Sequence, residues 1–258
     1  MLDLGSHSGS FNADPYPLRV IRLDCERPSP LPAQPFVQAD AAHLPFRAET
    51  FDAVVSNHSL EHMEQWEMAT QEIGAVLKPD GKLYLAVPDS TTLTDRLYRW
   101  LARGGGHVNR FSSVETLGAK IERQTGKPLA GVRTLCTSLS FLNRRNLRTR
   151  APRRLWLLGG GQEKILVFLT YLFRLLDRHF HTRLSLYGWV LYFGEIGEPI
   201  GSYPWTNVCV RCGSGHPSAW LKAQGVVRRN PFFGHSFRCP QCEANNLFTE
   251  DADYSFLR

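Results

Sequence analysis

Residues 1–11 read MLDLGSHSGSF, and this stretch decides the fold. Leu2, Asp3 and Leu4 form the end of an apolar strand that runs directly into a turn bearing Gly5 and Gly9. A glycine just after a strand adopts backbone angles barred to other residues and lets a ligand approach the main chain, while Asp3 supplies a carboxylate beside the loop. Taken alone, the stretch is either an ordinary tight turn or the opening of a nucleotide-type cofactor site. The residues that follow bear on the choice.

Working outward, short apolar runs end in polar residues: LRVIRLD (18–24), FVQAD (36–40), FDAVVSN (51–57) and KLYLAVPD (82–89). Such runs predict a parallel sheet. Between the third and fourth, Glu64 to Lys78 places Met68, Ala69, Ile73, Val76 and Leu77 at helical spacing, with a stop at Pro79-Asp80-Gly81. This is a βαβ unit. Ligands of open α/β sheets bind outside the carboxyl ends of the strands, where Asp24, Asp40 and Asn57 fall. One polar residue there is an ordinary turn former, but three in series point to a common crevice.

Near the C-terminus, CVRC (Cys209, Cys212) and CPQC (Cys239, Cys242) form a pair of CxxC motifs separated by residues 213–238. Two closely spaced thiolates on each of two turns predict a tetrahedral structural Zn2+ site, with no coordination position left open for water activation. The alternatives are disulfides or a redox motif, against which stand the lack of a secretory signal and of a thioredoxin-like pattern. Cys25 and Cys136 read as bystanders.

The N-terminal segments resemble class I methyltransferases that use S-adenosylmethionine, in the type 11-like group. The resemblance is carried by LDLGSHSG, the strand end at Asp24, ADAAHLPF (39–46), FDAVVSNHSLEH (51–62) and LKPDGKLYLAVP (77–88), in that order. It covers about residues 1–115, with His107, Arg110 and Phe111 in a next segment that introduces a helix near the substrate side. It implies that Asp3, Gly5 and Gly9 shape the pocket for the methionine part of the cofactor. It further implies that Asp24 meets the ribose hydroxyls, that Asp40 and the backbone of Ala41 meet the adenine, and that Asn57 lies near the sulfonium. Carboxylates and other acceptors suit hydroxyls and a positive sulfur.

There are two departures. His7 stands at the family's middle glycine, and the chain starts inside the first strand, so either a start upstream of Met1 or an open lid is expected. A dinucleotide-dependent dehydrogenase shares the glycine turn and the later acid, but has no use for the ADAAHLPF and SLEH segments.

The expected fold class is therefore α/β, a Rossmann-like doubly wound, mostly parallel sheet with a small C-terminal zinc ribbon. A methyltransferase domain is expected over 1–200, with an insertion at about 144–185, and a zinc-ribbon-like module over 205–250. Residues 131–143 and Leu186 to Gly194 read as further strands, and by analogy the insertion caps the substrate side.

The chain has 258 residues, 43% of them hydrophobic and 21% charged, which fits a folded rather than a disordered protein. The net charge of +6 is compatible with nucleic acid, an acidic glycan or a membrane surface and does not choose among them. Much of the excess is local, in Arg144, Arg145, Arg148, Arg150, Arg153 and Arg154, where a solvated face is the simpler reading. The apolar run Ile165 to Leu176 is broken by Arg174 and too short to span a bilayer, which leaves a buried or amphipathic helix with peripheral membrane contact as the alternative. No signal peptide is evident, so a cytoplasmic setting is expected.

The leading expectation is methyl transfer from S-adenosyl-L-methionine to a small-molecule, sugar or lipid-linked acceptor. The alternatives are an RNA methyltransferase using the basic stretch and the ribbon, and a non-catalytic binding or scaffold protein on the same fold. For a proton-accepting group, His58 and His107 are the candidates; His62 shares the chemistry but reads better as a brace for the following helix.

Overall fold

The computed structural model describes residues 1–7, 9–11, 13–14, 16–101, 106–146, 162–197 and 204–251. Arg148, Arg150, Arg153 and Arg154 lie outside the described residues. The chain divides into two compact units, Met1–Ser90 with Gly106–Arg133 and Trp189–Ser202, and Thr91–Gly105 with Thr134–Gly188 and Tyr203–Arg258.

The first unit is organised by β1 (Leu2–Leu4), β2 (Ile21–Asp24), β3 (Phe36–Gln38), β4 (Phe51–Asn57) and β5 (Leu77–Pro88). With β6 (Leu129–Cys136) and β7 (Leu186–Phe193) they make a seven-stranded sheet of order β3-β2-β1-β4-β5-β7-β6. The pairs β2–β3, β1–β2, β1–β4 and β4–β5 are all parallel. Because β1 lies between β2 and β4, all three of its residues are buried, and its neighbours end beside it at one sheet edge. The mostly parallel, helix-flanked sheet is the Rossmann-like architecture expected from the strand pattern.

Helix α1 (Trp66–Val76) buries Ala69, Thr70, Ile73 and Val76, so its inward face is shifted from the one the periodicity outlined, and Met68 is exposed. The helix also stops sooner than Lys78. Leu77 already has extended backbone and pairs with Phe51, so the segment around Pro79-Asp80-Gly81 belongs to β5, with a register irregularity opposite Phe51–Ala53. Pairing of Leu77 with Phe51 thus ends the helix ahead of the stop signal at Pro79-Asp80-Gly81. After α2 (Leu93–Leu101) comes α3 (Val114–Thr125), capped by the Ser113 side chain, which accepts from the Thr116 N–H. Thr70 Oγ1 donates to Gln124 Oε1 at 2.6 Å, tying α1 to α3. The core of this unit gathers Leu2, Leu4, Leu23, Val54, Ile73, Leu85, Ile121 and Phe193.

In the second unit, α4 (Gln162–Phe180) carries the apolar run. Its buried residues, Gln162, Leu166, Thr170, Arg174 and Asp177, follow one another at helical spacing, and all but Leu166 are polar. Each of the polar ones has at least one partner within the unit. Thr170 Oγ1 donates to Ser138 O at 2.9 Å, Arg174 Nη2 to Val208 O at 3.0 Å, and Asp177 accepts from the N–H groups of Leu184 and Ser185 at 2.8 and 2.9 Å. Among the described residues no helix is long and apolar enough to cross a membrane.

The remaining elements are small: β8 (Asn207–Val208), β9 (Gly215–His216), α5 (Ser218–Ala223), β10 (Val227–Asn230), β11 (Gly234–Arg238) and β12 (Asn245–Leu247). They form an antiparallel pair β8–β9 and an antiparallel sheet β10-β11-β12. One CxxC lies in the turn of each, between β8 and β9 and between β11 and β12.

Candidate functional site

The turn after β1 is built by packing. Gly5 has φ +64° and donates its N–H to Leu23 O at 2.8 Å; a Cβ there would stand 2.4 Å from Ser59 Cβ. Ser59 Oγ in turn donates to Leu4 O at 3.2 Å and lies 2.7 Å from Ser56 Oγ, so the strand ends of β1 and β4 and this turn are locked together. His7, at the position where the resembling family has glycine, adopts φ +47°. The backbone thus keeps the left-handed conformation that glycine takes without steric cost, and the histidine bears the strain.

Asp3 is completely buried, and its register partner on β2 is Arg22. Arg22 Nη1 lies 2.5 Å from Asp3 Oδ2, which also accepts the Ser10 N–H at 3.0 Å. The guanidinium continues to Gln34 Oε1 at 3.0 Å through Nε and to Phe11 O at 3.1 Å through Nη2. A Cβ on Gly9, whose φ is +124°, would meet Arg22 Nη1 at 2.2 Å, so the missing side chain at Gly9 makes room for this arginine. Asp3 Oδ1 and Ser6 Oγ are buried with no hydrogen-bond partner among the described residues. Burial pushes the Asp3 carboxyl above the ordinary carboxylate range, against the hydrogen bonds from Ser10 and the charge of Arg22.

The other predicted residues follow the ends of adjacent strands. Asp24 ends β2; its Oδ2 accepts the His7 N–H at 2.8 Å, and its Oδ1 accepts the Glu26 N–H at 3.0 Å and the weakly donating Cys25 thiol at 3.6 Å, which leaves a further lone pair on Oδ2. Asp40 and Ala41 follow β3 in a turn closed by the Ala42 N–H on Asp40 Oδ1 at 2.9 Å; Asp40 is exposed and Ala41 buried. Glu72 holds this turn from α1, accepting the Leu44 N–H at 2.9 Å. Asn57 ends β4, and His58 follows at φ +54° with its N–H on Ala86 O at 3.0 Å. Asp3, Gly5, Asp24, Asp40, Ala41 and Asn57 therefore all stand at the carboxyl edge of β3-β2-β1-β4.

Two residues that sequence reasoning missed complete the edge. Arg22 gave one faint signal, a charge inside an otherwise apolar strand. The other is Glu61, only 1% exposed, in a 3-10 turn over Leu60–His62. His58 Nδ1 lies 3.7 Å from its Oε1. His62, read from the sequence as a brace for the next helix, has its Nδ1 2.9 Å from Gly106 O, and its ring meets that of His107 edge-on at 4.9 Å between centroids.

In the second unit, Cys209, Cys212, Cys239 and Cys242 come together with their sulfurs all within 4.8 Å of one another, and none is in a disulfide. The two turns share one geometry. Cys209 and Cys239 each donate N–H to the carbonyl five residues on, at 2.9 Å in both, and accept from the N–H four residues on. Gly213 and Glu243 both have positive φ at that fourth position, 76° and 59°. Sulfurs of Cys209 and Cys242 lie 3.5 Å apart, those of Cys212 and Cys239 3.7 Å. A tetrahedron with metal–sulfur bonds of ~2.3 Å has edges of about 3.8 Å, so the residues present fit Zn2+.

Mutual hydrogen bonding pushes the Cys212 thiol down and the Cys209 thiol up. Four thiolates this close together require a positive ion at their centre. Arg211, inside the first turn, anchors it to α4 with Nη2 at 2.6 Å from Glu163 Oε1 and Nε at 3.0 Å from Oε2.

Residues 2–85 match the family described as a methyltransferase domain. Over 94 residues the chain is 38% identical to the human arginine-hydroxylase NDUFAF5, mitochondrial, covering 34% of this chain and 27% of that protein. Over 96 residues it is 30% identical to the malonyl-[acyl-carrier protein] O-methyltransferase of Enterobacter lignolyticus, covering 37% of this chain and 38% of that protein. The chain thus spans well under half the length of these curated relatives. Among solved structures, a SAM dependent methyltransferase from Archaeoglobus fulgidus superposes with a TM-score of 0.50 at 16% identity, over 75% of this chain and 85% of that one, a likeness of fold. The glycine turn and the carboxylates along the strand ends thus lie on a Rossmann-like sheet, within the stretch, residues 2–85, that is similar to the methyltransferase-domain family.

Proposed function

We propose that the chain is an S-adenosyl-L-methionine-dependent methyltransferase acting on a small-molecule, sugar or lipid-linked acceptor, and that Cys209, Cys212, Cys239 and Cys242 hold a structural Zn2+. The observation that carries the first part is the edge itself. A buried carboxylate with one oxygen lacking a partner, Asp3, stands beside a second strand-end acid, Asp24, on neighbouring parallel strands.

The residues fit the donor. Asp3 Oδ1 and Ser6 Oγ would offer acceptors to the ammonium of its amino-acid part, and Asp24 would take ribose hydroxyls through the remaining lone pair of Oδ2 and by displacing the weak Cys25 thiol from Oδ1. Asp40 and the Ala41 backbone would suit the base, and Asn57 would supply a neutral polar group near the sulfonium. The bound donor supplies an electrophilic methyl group. The chain's own contribution is alignment, which accounts for much of the acceleration in a displacement of this kind. The proton of a hydroxyl or amine acceptor needs a base, and His58 and His107 have that chemistry. The relatives named for O-methylation and for arginine hydroxylation leave the acceptor open to direct assay.

Calorimetric titration of the full chain with the methyl donor tests the reading. Wild type is expected to bind and Asp24→Ala to bind at least tenfold more weakly; a folded wild type that does not bind refutes it. Incubation with labelled donor and fractionated extract then identifies the acceptor class, with label in RNA favouring the nucleic-acid alternative. Metal analysis of the purified chain is expected to return Zn2+ at the four cysteines, and a metal-free protein with an intact second unit refutes that assignment.

A further inference from the structure

We infer that Glu61, His62 and His107 form a binding site for a divalent transition-metal ion, separate from the four-cysteine cluster. One ligand atom from each of the three lies within 4.8 Å of the others. Glu61 is 1% exposed, and neither of its carboxylate oxygens has a hydrogen-bond partner among the described residues. The 3.7 Å from Oε1 to His58 Nδ1 exceeds hydrogen-bond length. A carboxylate buried in this way is strongly unfavourable unless a cation completes its surroundings.

The backbone assembles the site from two distant segments. Glu61 O accepts the N–H groups of Val108 and Asn109 at 2.9 and 3.0 Å, which sets His107 beside the 3-10 turn. Asn109 Nδ2 fastens the same junction, donating to Leu60 O at 3.1 Å and Met63 O at 2.7 Å. The His62 ring is oriented as metal-binding histidines are, with one nitrogen engaged by a carbonyl. Nδ1 donates to Gly106 O at 2.9 Å, so Nε2 carries the lone pair.

Two imidazoles and a carboxylate select a borderline ion such as Zn2+, Fe2+, Co2+ or Mn2+ over Ca2+ or Mg2+, which prefer oxygen alone. Three protein ligands leave coordination positions for water or for an oxygen of a bound molecule.

The test is a Co2+ titration of the full chain, first loaded with Zn2+ at the cysteines and without methyl donor, followed by visible absorption and thermal melting. The expected result is one Co2+ bound with a nitrogen–oxygen spectrum free of thiolate charge-transfer bands, and a raised melting temperature. Glu61→Gln and His107→Ala should each weaken binding at least tenfold, and His107→Ala, at a half-buried position, carries the test if the buried substitution impairs folding. No uptake by folded wild type, uptake showing only thiolate bands, or equal affinity in a folded variant overturns the proposal. Because the donor is absent, failure here is distinct from failure of the methyl-transfer reading.

Discussion

Gly5→Ala should destabilise the first unit through a specific contact. The new Cβ would sit 2.4 Å from Ser59 Cβ, well inside van der Waals distance, at a residue with φ +64°. The left-handed conformation costs an L-residue about 1–2 kcal/mol, and forcing a methyl into a packed site about 1–3 kcal/mol more, so the total is about 2–5 kcal/mol. In urea unfolding this shifts the midpoint by about 1 M or more. Ser59→Gly removes the opposing Cβ, so in that background Gly5→Ala should cost only the backbone share, giving a coupling of about 1–3 kcal/mol. Ser59→Gly should not rescue Gly9→Ala, whose Cβ would meet Arg22 Nη1 instead. If Gly5→Ala costs the same with and without the Ser59 side chain, the packing account of this turn is wrong.

Arg22→Met, which removes the partner of fully buried Asp3, should cost about 3–5 kcal/mol in urea unfolding, and Asp3→Asn in the same chain should recover part of it; equal stability of Arg22→Met and wild type would refute the pairing. Glu163 has its carboxyl held below its ordinary value by hydrogen bonds from Arg211, so its contribution is present above about pH 4.5 and lost as pH falls through the depressed value. Glu163→Gln should therefore lower stability at neutral pH by about 1–2 kcal/mol and flatten the acid limb of the stability profile below that range, and an unchanged acid limb would count against it. Cys212→Ser or exposure to a strong chelator should loosen residues 207–247 in hydrogen exchange while leaving β1 to β5 protected; uniform loss of protection would show that the metal serves the whole chain.

The parallel sheet and its strand ends were legible in the sequence because the evidence for them is local. Leu2, Leu4, Leu23 and Val54 sit in apolar runs too short for helices, and Asp24, Asp40 and Asn57 mark where those runs stop. The four cysteines were equally plain, since the CxxC spacing alone places two thiolates on one turn. The end of α1 was not. Lys78-Pro79-Asp80-Gly81 looks like a helix stop, but pairing of Leu77 with Phe51 ends the helix before it, and that pairing is a long-range event.

The sequence by itself determined the α/β class, the carboxyl edge of the sheet and the cysteine cluster, because each rests on residue type and spacing within a few positions. Only the tertiary structure decided what fills those places. It set Arg22 opposite Asp3, where the vacant side chain of Gly9 leaves room for a guanidinium, and strained His7 into the conformation the turn demands. It also drew His107 to Glu61 and His62 across an intervening strand and two helices. Such pairings depend on which strands become neighbours and where a chain returns, and these follow from burial and register summed over the whole unit.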